Sequence, residues 1–264
     1  MQHAIYSITI NDEQICKLFS SLFWFKTLKR LEIDNQDLRT LSLDVISHLI
    51  NNMESAQFRD CLFNVAQLND TFKKMASKDT KLKKVFIADI AEDVDAHLLA
   101  EGLNNIKTPL WRNLSTSQLN QVYRQMTIAS KIKMLSLIEE DLKGINPSLL
   151  ANALNSIQEL WLRLYYDDDK VDIKEQINEI FLLMSKKTNL KKLKLYDSSL
   201  CGIIPPVVVS KAINNIKDVR FNFVHLSSEQ KEAIMLLKST QDTVLENFVF
   251  IEDTANEGER GCCS

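Results

Sequence analysis

The stretch IKMLSL at residues 132–137, followed by DL at 141–142 and INPSLLANALNSI at 145–157, decides the fold. Its first part sets Leu135 and Leu137 on one side of a short strand, at period two. Its second part changes period: Leu149, Leu150, Ala153, Leu154 and Ile157 follow helical spacing. One strand and one short helix cannot bury their own apolar sides. The stretch therefore predicts neighbours of its own kind, stacked against it.

Those neighbours are present. LKRLEI at 28–33 runs on to INNM at 50–53, LKKVFI at 82–87 to LNNI at 103–106, and LKKLKL at 190–195 to INNI at 213–216. Between these copies lies a second pattern, an apolar residue, polar residues and a short amphipathic helix. It reads LSSEQKEAI at 226–234, LSTSQLNQV at 114–122, LNDTFKKM at 68–75 and INDEQICKL at 10–18, with a looser copy at 171–180. Each unit spans roughly 25 to 28 residues, the period of a repeat array.

The reading is an α/β solenoid of about nine units over residues 1–251, its strands joined in one parallel sheet under a layer of helices. Strands are expected near residues 31, 61, 85, 135, 160, 193, 219 and 248. Pro147 and Pro206 fall where a helix tolerates proline, in the first turn. Asp12, Asp70, Ser115 and Ser227 are expected to cap the second-pattern helices. The segment 106–114 is about two residues shorter than its counterpart 216–226, and a small insertion falls at 165–170. Aligning Ile10 with Leu226 makes the array begin partway through a unit. LENFVF at 245–250 supplies the last strand, and residues 252–264 form a polar tail, expected to be disordered.

Composition narrows the functions. The chain has 264 residues, 45% hydrophobic, with only 5 Gly and 4 Pro. A net charge of −3 argues for neither nucleic acid nor an anionic membrane as partner. No signal peptide or membrane span is read, so a cytoplasmic location is expected. Cys16, Cys61 and Cys201 sit within apolar patterns and read as small buried hydrophobes. The four histidines are scattered, with His48 and His97 on equivalent helices at the surface, and no Cys/His cluster has zinc spacing. The acidic run at 167–169 lacks the alternate spacing and turn glycine of a calcium loop. No phosphate-binding, dinucleotide-binding, nucleophile-elbow or zinc-protease motif occurs. The chain is expected to be no enzyme, to need no cofactor and to be a monomer.

The LxxLxL strand followed by a helix resembles leucine-rich repeats of the ribonuclease-inhibitor type. The alternation of the two unit patterns is similar to the arrays of animal NOD-like receptors. The resemblance covers roughly residues 3–250. It implies a horseshoe with strands on the concave face and helices on the convex face, acting as a protein-binding scaffold. Members of that family carry Asn or Cys three residues after the third strand leucine, bonding the turn backbone. Here the position is assigned to Gln36, Ala66, Glu140, Ser198 and Val224, which implies a missing or rebuilt ladder of turn hydrogen bonds.

In that architecture the residues between the strand leucines face a partner protein. The middle row is expected to be Glu32, Leu62, Phe86, Ser136, Trp161, Lys194, Arg220 and Val249. Phe86, Trp161, Arg163, Lys192, Lys194, Tyr196 and Arg220 form the candidate binding set, a basic and aromatic patch centred on Trp161. Aromatic residues and arginine are enriched in binding hot spots. The competing reading is that the lysines keep an open sheet soluble, with Trp161 partly covered by its neighbours. Trp24 is expected to pack a joint, and Trp111 is left without an assigned direction. The terminal Cys262 and Cys263 are candidate lipidation sites, which opens a second reading as a membrane-tethered adaptor. A third reading is a regulator that occludes an enzyme.

Overall fold

The structure, a computed structural model, describes residues 5–6, 14, 17–18, 21, 28–164, 173–186, 188–238 and 243–251. Strands and helices alternate along the chain, which divides into two compact units, Met1–Ile132 and Lys133–Ser264. The first unit holds β1 (Ile5–Tyr6), β2 (Arg30–Asp34), α1 (Leu43–Asn52), β3 (Ser55–Arg59), α2 (Val65–Met75), β4 (Lys84–Ile87), α3 (Ala96–Asn104), β5 (Thr108–Trp111) and α4 (Thr116–Ile128). The second holds β6 (Met134–Ile138), α5 (Pro147–Leu154), β7 (Glu159–Arg163), α6 (Lys174–Lys186), β8 (Lys192–Ser199), α7 (Pro206–Asn214), β9 (Asp218–His225), α8 (Ser228–Lys238) and β10 (Asn247–Ile251).

In both units the strands pair in parallel and in chain order, each joined to the next across a helix from β2 onward. A helical crossover is what parallel neighbours require. The apolar residues that recur at period two line up in rows. Leu31, Ala56, Val85 and Pro109 share one register in the first unit; Leu135, Leu160, Leu193, Val219 and Phe248 share one in the second. Leu135, Leu193, Leu195, Val219 and Phe221 are fully buried beneath the helices. Burying one such side chain contributes roughly 1.5 to 3 kcal/mol, which explains why the strand leucines fix the stacking.

The single sheet expected from the sequence is instead two, β1–β5 and β6–β10. Pro109 explains why β5 is a terminal strand. The β5 amides that bond β4 belong to even positions, Thr108 N to Lys83 O at 3.0 Å and Arg112 N to Ile87 O at 3.3 Å. Odd positions point from the other edge, and at the centre of that edge Pro109 has no N–H to offer.

The strand expected near residue 61 is also misplaced. It runs Ser55–Arg59, with Ala56 and Phe58 inward and Gln57 in the middle outward row, where Leu62 was expected. Leu62 follows the strand, makes a lone bridge to Asp37, and is 51% exposed. The shift corrects the turn ladder. The residue three past Phe58 is Cys61, not Ala66, and its Sγ donates to Ile33 O at 3.4 Å. Burial pushes the Cys61 thiol up to about 11, so it stays protonated at neutral pH. Ser198 fills the equivalent place within β8, its Oγ accepting from Leu164 N at 3.2 Å. Two positions of the ladder thus carry a side-chain hydrogen bond to a neighbouring repeat's backbone, and Val224 cannot make one.

Two devices repeat along the chain. Two residues past the second buried row the backbone turns left-handed, at Asn35, Asp60, Asp89, Asn113, Asp197 and Phe223. Asn and Asp accept that conformation readily, but for a bulky residue such as Phe223 it is strained. The second device is a buried glutamine in the first turn of α2, α4, α6 and α8. Gln67 Nε2 donates to Leu38 O (2.9 Å) and Leu41 O (2.7 Å), and Gln118 Nε2 to Ala91 O (2.9 Å). Gln176 Nε2 donates to Ile145 O (2.9 Å), and Gln230 Nε2 to Leu200 O (2.9 Å) and Ile204 O (2.7 Å). Each ties its helix to the loop leading into the preceding helix.

Gln67 also corrects a cap. Asn64, not Asp70, caps α2, in a reciprocal capping box with Gln67. Asp70 lies within the helix and pairs with Lys74 at 2.9 Å. Ser115 and Ser227 cap as expected, each exchanging hydrogen bonds with the glutamine three residues on. Pro147 and Pro206 open α5 and α7 as expected. Asp12 lies outside the described residues, as do Cys16, Trp24, the segment 165–170 and the tail 252–264.

Candidate protein-binding face

On the side of each sheet away from the helices, the strand residues between the buried rows stand outward. In the second unit the strand register brings six of the seven predicted residues together. Trp161 on β7, Lys194 on β8 and Arg220 on β9 lie in one row, with Ser136 and Val249 at its two ends. Arg163 and Tyr196 fall in the next row, and Glu159, Lys192 and Asp218 in the row before.

The patch is held by its own contacts. The Trp161 indole N–H donates to Glu159 Oε1 at 2.7 Å, which fixes the ring on the sheet. The Lys194 ammonium sits 3.8 Å from the centroid of that ring, a cation–π contact. Trp161 and Tyr196 lie 6.5 Å apart with planes tilted by 57°, and the Arg163 guanidinium lies 5.8 Å from the Tyr196 centroid. Lys192 pairs with Glu159 at 3.2 Å, Arg163 with Asp197 at 3.6 Å and Arg220 with Asp218 at 3.2 Å. Burial first, and then the neighbouring Lys192 ammonium, hold Lys194 below the usual lysine range.

Phe86, the seventh predicted residue, belongs to the first unit. Its row there reads Glu32, Gln57, Phe86 and Leu110, and the Arg112 guanidinium lies 5.9 Å from the Phe86 centroid. Arg59 donates to Gln57 at 3.1 Å and pairs with Asp34 at 3.8 Å. Trp111 turns inward and is 5% exposed, which settles its direction.

The acids Glu159, Asp197 and Asp218 were missed by the sequence reading. Glu159 and Asp218 stand two residues before Trp161 and Arg220, on the same side of their strands, a spacing that was available in the sequence. Gln57 and Leu110 were missed because their strands were misplaced or unassigned.

His48, His97 and His225 are exposed. Among the described residues, no group of three or more His, Cys, Asp or Glu is placed to hold a metal ion. Among the same residues, no helix is long and apolar enough to cross a membrane. Cys61 is buried, whereas Cys201 is only half-buried, which corrects the reading of both as core residues. The lipidation candidates Cys262 and Cys263 lie outside the described residues.

No protein-family model matches the chain, and no curated protein matches it. Among solved structures, a chain in the crystal structure of the Rad7 and Elc1 complex in yeast matches 86% of this chain and 68% of its own length. The identity is 15% and the TM-score 0.40. What the chain's own register shows is an α/β repeat array of alternating strands and helices on parallel sheets, with an aromatic and charged patch on the open face of the second.

Proposed function

We propose that this chain is a leucine-rich-repeat scaffold of the ribonuclease-inhibitor type, without catalytic activity, that binds a partner protein through its open strand face. The observation that carries the reading is Trp161. A large aromatic ring stands on the side of the sheet away from the helices, oriented by Glu159 and flanked by Lys194, Tyr196 and Arg163. The core needs no ring there, because Leu160 and Leu162 already fill the inward positions of β7. A fixed aromatic beside cations suits a partner offering acidic and apolar groups.

The test is to place a photo-crosslinking residue at Ser136, beside Trp161, and identify the attached protein by mass spectrometry. Its affinity for the purified chain is then measured by calorimetry. Trp161→Ala is expected to weaken binding by about 1 to 4 kcal/mol while leaving the unfolding midpoint in place. Phe86→Ala reports whether the first unit's face shares the partner. Unchanged affinity with a lowered midpoint in Trp161→Ala makes the ring a packing residue and ends the proposal.

A further inference from the structure

We infer that Lys194 and Arg220 form a seat for a carboxylate, supplied by an Asp or Glu side chain in an extended acidic segment of the partner protein. The inference rests on the binding face proposed above and names the chemistry it recognises.

Lys194 and Arg220 are register partners on β8 and β9. Adjacent strands lie about 4.8 Å apart, so two cations stand opposite one another at the middle of the open face. Like charges placed directly across a sheet are destabilising. Each cation has its own contact within the face, Arg220 with Asp218 and Lys194 with the Trp161 ring, yet the two positive charges still oppose one another across the strands, and an anion bridging both side chains relieves that repulsion.

The ion pairs point to the same place. Lys192, Arg163 and Arg220 each have a carboxylate, from Glu159, Asp197 and Asp218. Among the described residues, Lys194 has none at ion-pair distance and rests its ammonium on the Trp161 ring instead. The corresponding row of the first unit, Glu32, Gln57, Phe86 and Leu110, carries no cation. The second unit's row is therefore a local departure and not a property of the repeat.

Its flanks add the apolar part. Beyond Arg220 the same row ends in Val249, 41% exposed, and at the other side lies Trp161. A segment crossing the strands would meet an aromatic ring, two cations and an apolar side chain in turn. An acidic residue with apolar neighbours fits that order.

The experiment uses the full chain, isotope-labelled, with the Trp161 indole N–H resonance assigned by Trp161→Phe. It is titrated with three capped peptides that alternate leucine with glutamate, glutamine or lysine. The glutamate peptide is expected to move the Trp161 resonance saturably, and added salt to weaken it. Lys194→Gln should lower that affinity about tenfold or more, the scale of a lost charged hydrogen bond. Its unfolding midpoint should hold or rise, because one of two facing cations is gone. Lys186→Gln, on the helical side, should change nothing.

Equal shifts from the glutamine or lysine peptide overturn the carboxylate seat but leave a protein-binding face. No shift from any peptide removes both readings. A Trp161 resonance that moves on dilution alone makes a second copy of this chain the occupant. One that moves when Glu252, Asp253, Glu257 and Glu259 are neutralised makes the chain's own tail the occupant. A fall in the midpoint of Lys194→Gln makes Lys194 structural. Each of these last three results overturns the assignment to a partner.

Discussion

In the first unit the middle outward row reads Glu32, Gln57, Phe86 and Leu110; in the second it reads Ser136, Trp161, Lys194, Arg220 and Val249. The inward rows differ far less, being aliphatic or aromatic in both units apart from Ala56 and Pro109. The same strand therefore answers to two demands at once. Its inward positions are constrained by neighbours above and below, and its outward positions by whatever the face meets. That separation is why the second unit can gather four cations and two aromatic rings on its open face without disturbing its core.

The comparison breaks most sharply if inward and outward positions turn out equivalent. Phe221→Ala empties a fully buried position and should lower stability by about 3 to 5 kcal/mol in urea unfolding. Trp161→Ala, on the outward side of the next strand but one, should leave stability nearly unchanged. Equal losses would mean that the open face is part of the core.

A smaller effect compares the glutamine ties of the two units. Gln230 serves two carbonyls and Gln118 one. Gln230→Ala should cost about 1 to 3 kcal/mol through stranded buried acceptors, and Gln118→Ala should fall toward the low end. Equal calorimetric midpoints would show that the capping box, common to both, dominates the tie. Smallest is the strained turn. Phe223, 50% exposed with φ 57°, stands where five other turns have Asn or Asp. Phe223→Asn should raise stability by up to about 1 kcal/mol, seen as a higher midpoint. A lower one would assign the ring a packing role that outweighs its backbone strain.

The fold was legible wherever the strand leucines were intact. IKMLSL and LKKLKL put β6 and β8 where they are found, and the Trp161 patch followed from reading the residues between. It failed at β3, whose inward residues are Ala56 and Phe58, because the nearby Cys61-Leu62-Phe63 is more apolar and drew the strand towards itself. β5 went unassigned because proline occupies an inward leucine position. A different signal would have corrected β3. The Asn or Asp two residues past the second inward row marks the turn after β2, β3, β4 and β5 and the left-handed residue within β8, and Asp60 points back to Phe58. That mark reflects backbone conformation and not hydrophobicity, so a pattern of leucines cannot reveal it. The acids that orient the patch were hidden for a related reason: ion pairing within a face depends on which strands become neighbours.

The buried glutamines carry a consequence for how the array comes apart. Gln67 holds the loop before α1, and Gln230 the loop before α7, so a second-pattern helix cannot peel away without stranding carbonyls in the module before it. Loss should then proceed two modules at a time, in blocks of roughly fifty residues. Hydrogen exchange would record this as paired helices sharing a single opening free energy, a coarser grain of fraying than the repeat length alone suggests.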